Sequence, residues 1–283
     1  MTSSTLKEKH PWTQPWWKAE GENVPVLVYI LLIHVLSIIG LVLFPLPGWK
    51  VFLSFVGLAA LGGLGTTVGF HRGLSHRAVK LNPVVEQILI FFAVFNGSGS
   101  PSTWIANHRN HHANSDTIND VSSPRHGGFW WAHLRWLWQA EQAAPIRYCP
   151  DLSSPSYQFW TLFQIPLLAF SFFGGGAFGA AAFFWLGAIR LVFALHGQCF
   201  VNSVCHLRPE TVSGEDSSRN VTWLGFWHLF QGENWHRNHH ARPGSARLGW
   251  TPTQFDVGWW IILGLEWLGL ATEVRRPRGM RES

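Results

Sequence analysis

The feature of this 283-residue sequence that most restricts its fold is a set of four apolar segments, each long enough to suit a lipid bilayer. A transmembrane helix needs roughly 20 predominantly apolar residues. The segments comprise residues 24–44, 51–70, 159–173 and 177–200. Pro45 and Pro47 lie in the turn of the first pair, and Gly175 lies in the turn of the second pair. We therefore predict an all-α integral membrane fold with four transmembrane helices arranged as two hairpins.

Two further apolar stretches, residues 83–95 and 257–270, are shorter than a transmembrane helix. We predict that both form interfacial or re-entrant helices at the membrane surface. No linker rich in Pro, Gly or Ser and no block of charges divides the sequence. The sequence therefore predicts a single domain over residues 1–283.

The charged residues predict which ends of the helices face the cytoplasm. Only 13% of the residues are charged, and the formal net charge is +5. All but two of the 21 lysines and arginines precede, separate or follow the two hairpins; the exceptions are Lys50, in an outer turn, and Arg190, inside a span. Because cytoplasmic loops carry an excess of Lys and Arg, we expect both termini on the cytoplasmic side. The positive charge then reflects topology and contact with lipid headgroups, and no nucleic-acid partner is expected.

Eight of the 15 histidines fall into three clusters beside the predicted cytoplasmic ends of helices. The clusters are His71 with His76, His108 with His111 and His112, and His236 with His239 and His240. Residues three and four apart share one face of a helix, so the imidazoles of each triple could point to one locus. His71 and His76 are five apart, which suits a common site only if the helix ends between them. Gly73 is well placed to end it.

This number of imidazoles predicts two metal ions, because a first-row transition metal accepts at most about six ligands. His206 follows Asn202 by four residues at the end of the fourth span. His206 is therefore a candidate ninth ligand, and Asn202 could hold a metal-bound water. Zinc hydrolases need only three protein ligands. Two iron ions that activate O2 are the best chemical use of these histidines beside hydrocarbon.

The remaining histidines have no partner at ligand spacing. They are His10, His34, His126, His133, His196 and His228. We expect His34, in the middle of the first span, to be a buried histidine with satisfied hydrogen bonds. Cys149, Cys199 and Cys205 lie on or near the reducing side of the membrane, so no disulfide framework is expected. Cys205 is expected to be an inert buried thiol rather than a ligand.

The sequence around these residues resembles the membrane fatty-acid desaturases, most closely the stearoyl-CoA and bacterial acyl-lipid delta-9 type. The matching stretches are GTTVGFHRGLSHR (65–77), Trp104 with HRNHH (108–112), GGFWWAH (127–133), Arg190 with NSVCH (202–206), and GENWHRNHH (232–240). The resemblance extends over about residues 25–274 and implies a helical cytoplasmic cap above four spans. It also implies that the nine histidines hold a di-iron centre, with Asn202 bound through water. Trp104 and Arg190 are candidate substrate-binding residues. Asn107 departs from the Asp that is common in the family, which affects contacts with the headgroup or carrier.

The resemblance implies an O2-dependent oxidoreductase that introduces a cis double bond, at delta-9 for the type that it matches best, into a long-chain acyl group. The acyl carrier could be CoA, acyl carrier protein or a lipid. No flavin or nicotinamide fingerprint is present, so electrons are expected from a separate protein such as a ferredoxin, a rubredoxin or a cytochrome b5-like protein. A basic cytoplasmic face suits an acidic carrier. The expected location is a bacterial inner membrane, with the metal site on the cytoplasmic side.

Two alternatives to desaturation remain open. A related di-iron membrane oxygenase could hydroxylate an alkane or lipid, oxygenate a carotenoid, or form a terminal alkene by decarboxylating a fatty acid. A non-catalytic metal transporter or sensor is a protein of another class. A transporter should hold its ligands near the midplane of the spans, where His34 alone lies.

Phe55 and Ala59 are candidate residues at the end of an acyl tunnel. An α-helix rises 1.5 Å per residue, so positions 12 to 16 residues before His71 lie about 18–24 Å deeper in the bilayer. The methyl end of a long acyl chain would stop at that depth. Phe55 and Ala59 are four apart and share one face, and the family resemblance points to the same part of the helix. The alternative is that Phe55 only packs against lipid or a neighbouring span.

Overall fold

Four helices of the described chain are long and apolar enough to cross a membrane, which confirms the predicted fold class. The structure is a computed structural model, and it describes residues 10–21, 23–207 and 216–277. The helices are span 1 (Val24–Leu43), span 2 (Trp49–Ser75), span 3 (Pro155–Phe178) and span 4 (Ala180–Ser203). Short turns connect span 1 to span 2 and span 3 to span 4, and span 4 packs against each of the other three spans. The termini of the chain, whose side of the membrane was predicted, lie outside the described residues.

The segments between and after the hairpins form the shorter elements. One short helix, Pro11–Thr13, precedes span 1. The helices between spans 2 and 3 are Pro83–Phe95, Pro101–Asn114, Pro124–Gly127, Trp131–Arg135, Trp136–Gln139, Pro145–Tyr148 and Pro150–Leu152. The helices after span 4 are Leu224–Trp227, His236–Ala241 and Val257–Trp267. The two apolar helices, Pro83–Phe95 and Val257–Trp267, have 13 and 11 residues. Both are too short to cross a bilayer.

A short antiparallel strand pair ties the C-terminal part of the chain to the end of span 2. Lys80–Leu81 pairs with Ala271–Thr272, an element that the all-α prediction did not contain. Arg72, on span 2, is buried and forms an ion pair of 2.8 Å with Asp256, which also caps the helix Val257–Trp267 by accepting from the backbone N–H of Trp259. The strand pair and the ion pair together hold the C-terminal segment against the histidine-bearing end of span 2.

Span 2 changes its winding before it reaches the histidines. It is α-helical over Trp49–Leu64 and π-helical over Gly65–Ser75. The predicted helix end at Gly73 is wrong, since the helix continues and the backbone N–H of His76 donates to the carbonyl oxygen of His71 at 3.1 Å. Because a π-helix bonds residues five apart, it brings these two imidazoles onto one side, with ring centroids 5.0 Å apart.

Candidate metal centre

All nine histidines predicted as ligands meet in two adjacent groups. Within each group the candidate ligand atoms lie within 4.8 Å of one another. Site A contains His71, His76, His108, His112 and His239, and site B contains His111, His206, His236 and His240. The sites adjoin each other, because the ring of His112 stacks on that of His240 at a centroid distance of 4.5 Å.

Each histidine triple contributes to both sites. On the helix Pro101–Asn114, His108 and His112 belong to site A, whereas His111 belongs to site B. The helix His236–Ala241 repeats this division with the sites exchanged. The expectation that each triple points to one locus is therefore wrong. Successive helical residues are about 100° apart, so two adjacent imidazoles diverge and each triple bridges the two sites.

The imidazole nitrogens converge at distances that suit metal coordination. In site A the Nε2 atoms of His76 and His108 are 2.8 Å apart. In site B those of His206 and His236 are also 2.8 Å apart. Two nitrogens bound at right angles to one ion, each about 2.1 Å from it, would lie about 3 Å apart. The spacing of the rings thus fits one ion in each site.

Four carboxylates lie behind the imidazoles and orient them. The Nδ1–oxygen distances are 2.8 Å for His71 and Glu233, 2.8 Å for His111 and Asp120, 3.0 Å for His206 and Asp116, and 3.4 Å for His240 and Asp216. A carboxylate at Nδ1 leaves Nε2 free to face a metal. The sequence analysis missed this role. The available signal was the recurrence of acidic residues next to the clusters in a chain that has only 16 of them.

Burial keeps most of these imidazoles neutral, which is the state that binds metals. Loss of hydration, followed by repulsion from neighbouring histidines, lowers the pKa of His76, His108 and His112 well below its usual value. The same two causes also lower the pKa of His236 and His239 well below its usual value. The two sites are therefore prepared for cations at neutral pH.

The carboxylates stay ionised despite their surroundings. Burial raises the pKa of Glu233, but attraction to His71 and Arg72 and hydrogen bonding bring it down to about 2. Burial also raises the pKa of Asp116, and its hydrogen bond with His206 holds it well below the usual range. Asp116 further accepts hydrogen bonds from the backbone and the hydroxyl of Ser217, each at 2.6 Å. These donors explain the position of Asp116 without a third ion.

Comparison with known proteins identifies the family to which this chain belongs. The family model described as fatty acid desaturase matches residues 47–251. The chain belongs to the fatty acid desaturase family. Delta-9 acyl-lipid desaturase 1 of Arabidopsis thaliana is 33% identical over 96% of this chain and 88% of the relative. The sn-1 stearoyl-lipid 9-desaturase of Synechocystis sp. is 34% identical over 98% and 86%, and the Acyl-CoA C20 Delta5-desaturase of Anemone leveillei is 34% identical over 95% and 86%.

The family predicted from the histidine motifs is thereby confirmed. Desaturases are oxidoreductases, so this chain is an enzyme of that class. Its four candidate spans agree with an integral membrane location.

A cavity of about 510 Å³ leads from both histidine groups into the spans of this desaturase. The predicted site residues that line it are His71, His108, His111, His236, Trp104, Asn202 and Ala59. The ring of Trp104 stacks on His108 at a centroid distance of 5.0 Å. Ala59 lies about three helical turns before His71 on span 2. The cavity therefore reaches the depth at which the sequence predicted the end of a tunnel.

Phe55 and Arg190 lie behind the cavity wall rather than among its described lining residues. Phe55 packs edge-to-face on Phe193, with ring centroids 5.6 Å apart, and Phe193 lines the cavity. Arg190 is fully buried, and its Nη1 donates to Oδ1 of Asn96 at 2.7 Å. Asn96 lines the cavity. Any effect of Phe55 or Arg190 on a substrate would therefore pass through these neighbours.

The other histidines of the described chain lie outside both groups. His34 has a partner at each ring nitrogen, the carbonyl oxygen of Ile30 at 2.7 Å and Nε2 of His196 at 3.0 Å. The hydrogen bonds of His34 are thus satisfied as predicted, but the side chain is half-buried rather than buried. Cys205 is buried and free, and burial raises its pKa to about 12, which makes it a poor metal ligand.

Proposed function

We propose that this desaturase binds two iron ions, one in site A and one in site B, and uses O2 to introduce a cis double bond, at delta-9, into a long-chain acyl group. The donor set fits iron, because imidazole nitrogen is a common iron ligand and carboxylates lie at Nδ1 of His71 in site A and of His206 in site B. When bound, the iron pair would supply the oxidant for an unactivated C–H bond. Each turnover would remove two hydrogens from adjacent carbons and reduce one O2 to two waters, with two electrons and two protons added.

The observation that carries this proposal is that one cavity joins both sites to the interior of the spans. His71 of site A and His111 of site B line the same cavity as Ile30 and Phe193, which are apolar residues within spans. An acyl chain along this cavity would pass both sites and be shielded from water. Its position against the apolar wall would select the carbon pair that reacts.

Polar residues of the wall would position the reacting groups. Trp104 holds the ring of His108 by stacking, and its Nε1 donates to Oε1 of Gln198 at 3.2 Å. Asn202 lies four residues before His206 in the sequence and lines the cavity, so its amide can hydrogen bond to a water at site B.

The orientation, domain organisation and partners form part of the same proposal. The metal centre and both termini face the cytoplasm of a bacterial inner membrane, and the chain acts as a single domain. Electrons come from a separate protein such as a ferredoxin, a rubredoxin or a cytochrome b5-like protein, because the reduction of O2 needs two electrons and the sequence carries no flavin or nicotinamide fingerprint. The distribution of Lys and Arg supports the orientation.

Expression in a host that lacks unsaturated fatty acids tests the reaction. Mass spectrometry should find acyl chains lighter by two hydrogens, with the double bond at delta-9, and the matched variant His239→Ala should form none. A product that gains oxygen would indicate hydroxylation or oxygenation instead of desaturation. A terminal alkene shortened by one carbon would indicate decarboxylation of the fatty acid. Iron binding without any oxidised product would contradict the proposed reaction.

A further inference from the structure

We infer that Asp151 is a positioning residue for site A and acts through Arg77 and Arg109, each of which directly follows a histidine of that site. We call these three residues the clamp. This inference rests on the proposed function, since it concerns how one of the two iron sites keeps its shape. Asp151 belongs to neither site. It lies on the short helix Pro150–Leu152, which precedes span 3.

Two histidines of site A lack the carboxylate that orients an imidazole from behind. Among the described residues, a carboxylate lies at Nδ1 of His71, but none pairs with a ring nitrogen of His76 or His108. The Nε2 atoms of His76 and His108 nevertheless converge to 2.8 Å, with ring planes 82° apart. A metal site needs its ligands held to within about 0.5 Å. Contacts of the neighbouring backbone are therefore needed to fix these two rings.

One carboxylate binds the arginine that follows each of these histidines. Oδ2 of Asp151 lies 2.7 Å from Nη2 of Arg77, the residue after His76. Arg109, the residue after His108, donates from Nη1 to Oδ1 of Asp151 at 2.6 Å and from Nη2 to Oδ2 at 3.1 Å. A two-point contact of this kind fixes the orientation of the guanidinium as well as its distance. The carboxylate therefore ties two ligand-bearing segments together.

Arg109 also binds the end of span 2 directly. Its Nε donates to the carbonyl oxygen of Ser75 at 3.1 Å, and its Nη2 donates to that of Leu74 at 2.7 Å. Its Nη1 donates to the carbonyl oxygen of Tyr148 at 3.0 Å as well as to the carboxylate. The side chain is 19% exposed, so these bonds are largely shielded from water. Arg109 thus joins the helix Pro101–Asn114 to the last turn of span 2.

Asp151 is itself anchored and charged. Cys149 and Leu152, on either side of it, are buried in the same core cluster. Burial raises the pKa of Asp151, but hydrogen bonds from the two arginines lower it to about 2. Arg77 has a φ of +48°, a left-handed conformation that is uncommon for residues other than glycine. The ion pair with Asp151 stabilises this conformation and so fixes where the chain leaves span 2.

The clamp acts on one site, because span 2 and the residue after it carry ligands of site A only. The second HRNHH copy (236–240) provides an internal contrast. Its arginine, Arg237, occupies the position that Arg109 has in the first copy. The side chain of Arg237 is exposed and forms no ion pair with a described residue. The same pentapeptide therefore carries a clamping arginine in one copy and a solvated arginine in the other.

Metal affinity tests the clamp without turnover. Anaerobic Fe²⁺ is titrated into the metal-free desaturase against a chelator, in a His111→Ala background that leaves site A intact. Asp151→Asn and Arg77→Gln are each expected to weaken binding of this ion about 10–100-fold, the usual effect of losing an outer contact of a metal site. In a His239→Ala background, which leaves site B intact, both changes should leave the affinity unchanged. Equal losses in the two backgrounds, or no loss at site A, would overturn the inference.

Matched variants separate positioning from loss of the fold. Arg109→Gln should act like Asp151→Asn, whereas Arg237→Gln should leave both affinities unchanged. Arg77→Gln alters a side chain that is 63% exposed, so the metal-free variant should melt at the wild-type temperature. The double variant of Arg77→Gln with Asp151→Asn should bind no more weakly than Asp151→Asn alone, because residues of one network are not additive. Arg77→Lys keeps the cation and should restore most of the affinity. Additive losses, or no recovery with lysine, would contradict the clamp.

Turnover distinguishes this inference from the proposed function. A wild-type protein that binds two ions but forms no double bond would refute the proposed reaction, and the affinities would still decide about the clamp. A desaturating enzyme whose site A affinity is unchanged by Asp151→Asn would refute the clamp alone.

Discussion

Oε2 of Glu233 lies 2.8 Å from Nδ1 of His71, and the other carboxylate oxygen accepts a hydrogen bond from the hydroxyl of Thr67. Arg72 lies 3.7 Å from the same carboxylate and is itself paired with Asp256. A carboxylate held in this way fixes the imidazole with Nε2 toward site A. The position of one metal ligand therefore depends on residues from three distant parts of the chain.

We predict that Glu233→Gln lowers the iron affinity of site A about 10–100-fold, the usual effect of removing a carboxylate behind a metal-binding histidine. Glutamine keeps the shape, but it has no charge and its amide can donate to Nδ1 and reverse the tautomer of His71. Chelator competition with quantification of bound iron measures the change. The control is Glu273→Gln, which alters an exposed ion pair with Lys80. Equal affinities in the two variants would contradict the assignment.

His239→Ala and His111→Ala each remove a ligand from a different site. Each variant should fall from two bound iron ions to about one and lose turnover, because each site loses one of its converging imidazoles. Elemental analysis of the purified variants measures this. Variants of His10 or His34 should retain both ions, since neither residue belongs to a group. Full activity in His111→Ala or His239→Ala would exclude the two-site assignment.

Ala59→Phe should restrict the enzyme to shorter acyl chains. Ala59 is buried and lines the cavity, so a larger side chain fills the space for the methyl end. Phe55→Ala should allow longer chains by giving Phe193 room to move. Gas chromatography of the products measures chain length, and Leu53→Ala, at an exposed position of the same helix, is the matched control. An unchanged profile in both variants, with activity retained, would place the end of the tunnel elsewhere.

The metal-free protein should lose stability as the pH falls from about 6.5 toward 4. An unfolded histidine has a pKa of about 6.5, whereas burial lowers the pKa of His240 to about 4 and lowers those of His236 and His239 as well. Within this window the unfolded chain binds protons that the folded chain does not, so the free energy of unfolding falls with decreasing pH. Above about pH 6.5 these imidazoles are neutral in both the folded and the unfolded chain, so they no longer make the free energy of unfolding depend on pH. His111 acts in the opposite sense, because Asp120 raises its pKa despite burial.

Thermal unfolding of chelator-treated protein between pH 8 and 4.5 measures this dependence. His240→Asn should show a shallower decrease, since it removes one of the titrating groups. A melting temperature that rises on acidification would contradict the prediction.

Cysteine labelling tests the proposed orientation. The three native cysteines are buried, so a membrane-impermeant thiol reagent should report on an introduced residue. We expect His126→Cys to be labelled only from the cytoplasmic side and Lys50→Cys only from the opposite side, since cytoplasmic loops concentrate positive charge. Labelling of position 126 from outside would refute the four-span topology with a cytoplasmic metal centre.

The sequence by itself determined the elements whose causes are local. Apolar length predicted the spans, and the helix at residues 83–95 has the predicted bounds because Asn82 caps it and Pro83 occupies its first turn. The nine histidines that gather in sites A and B were also visible in the sequence, since their spacing and residue type are local features. The family followed from the same motifs.

Only the tertiary structure decided how those histidines are shared between two sites. No simple periodicity of the sequence predicts the π-helical winding that aligns His71 with His76. This winding accompanies close packing against the helix Pro83–Phe95, where a Cβ at Gly65 would clash with the carbonyl oxygen of Leu89. The pairing of His71 with Glu233 joins residues far apart in the chain. These features arise from the packing of remote segments, whose distances no local pattern of residues specifies.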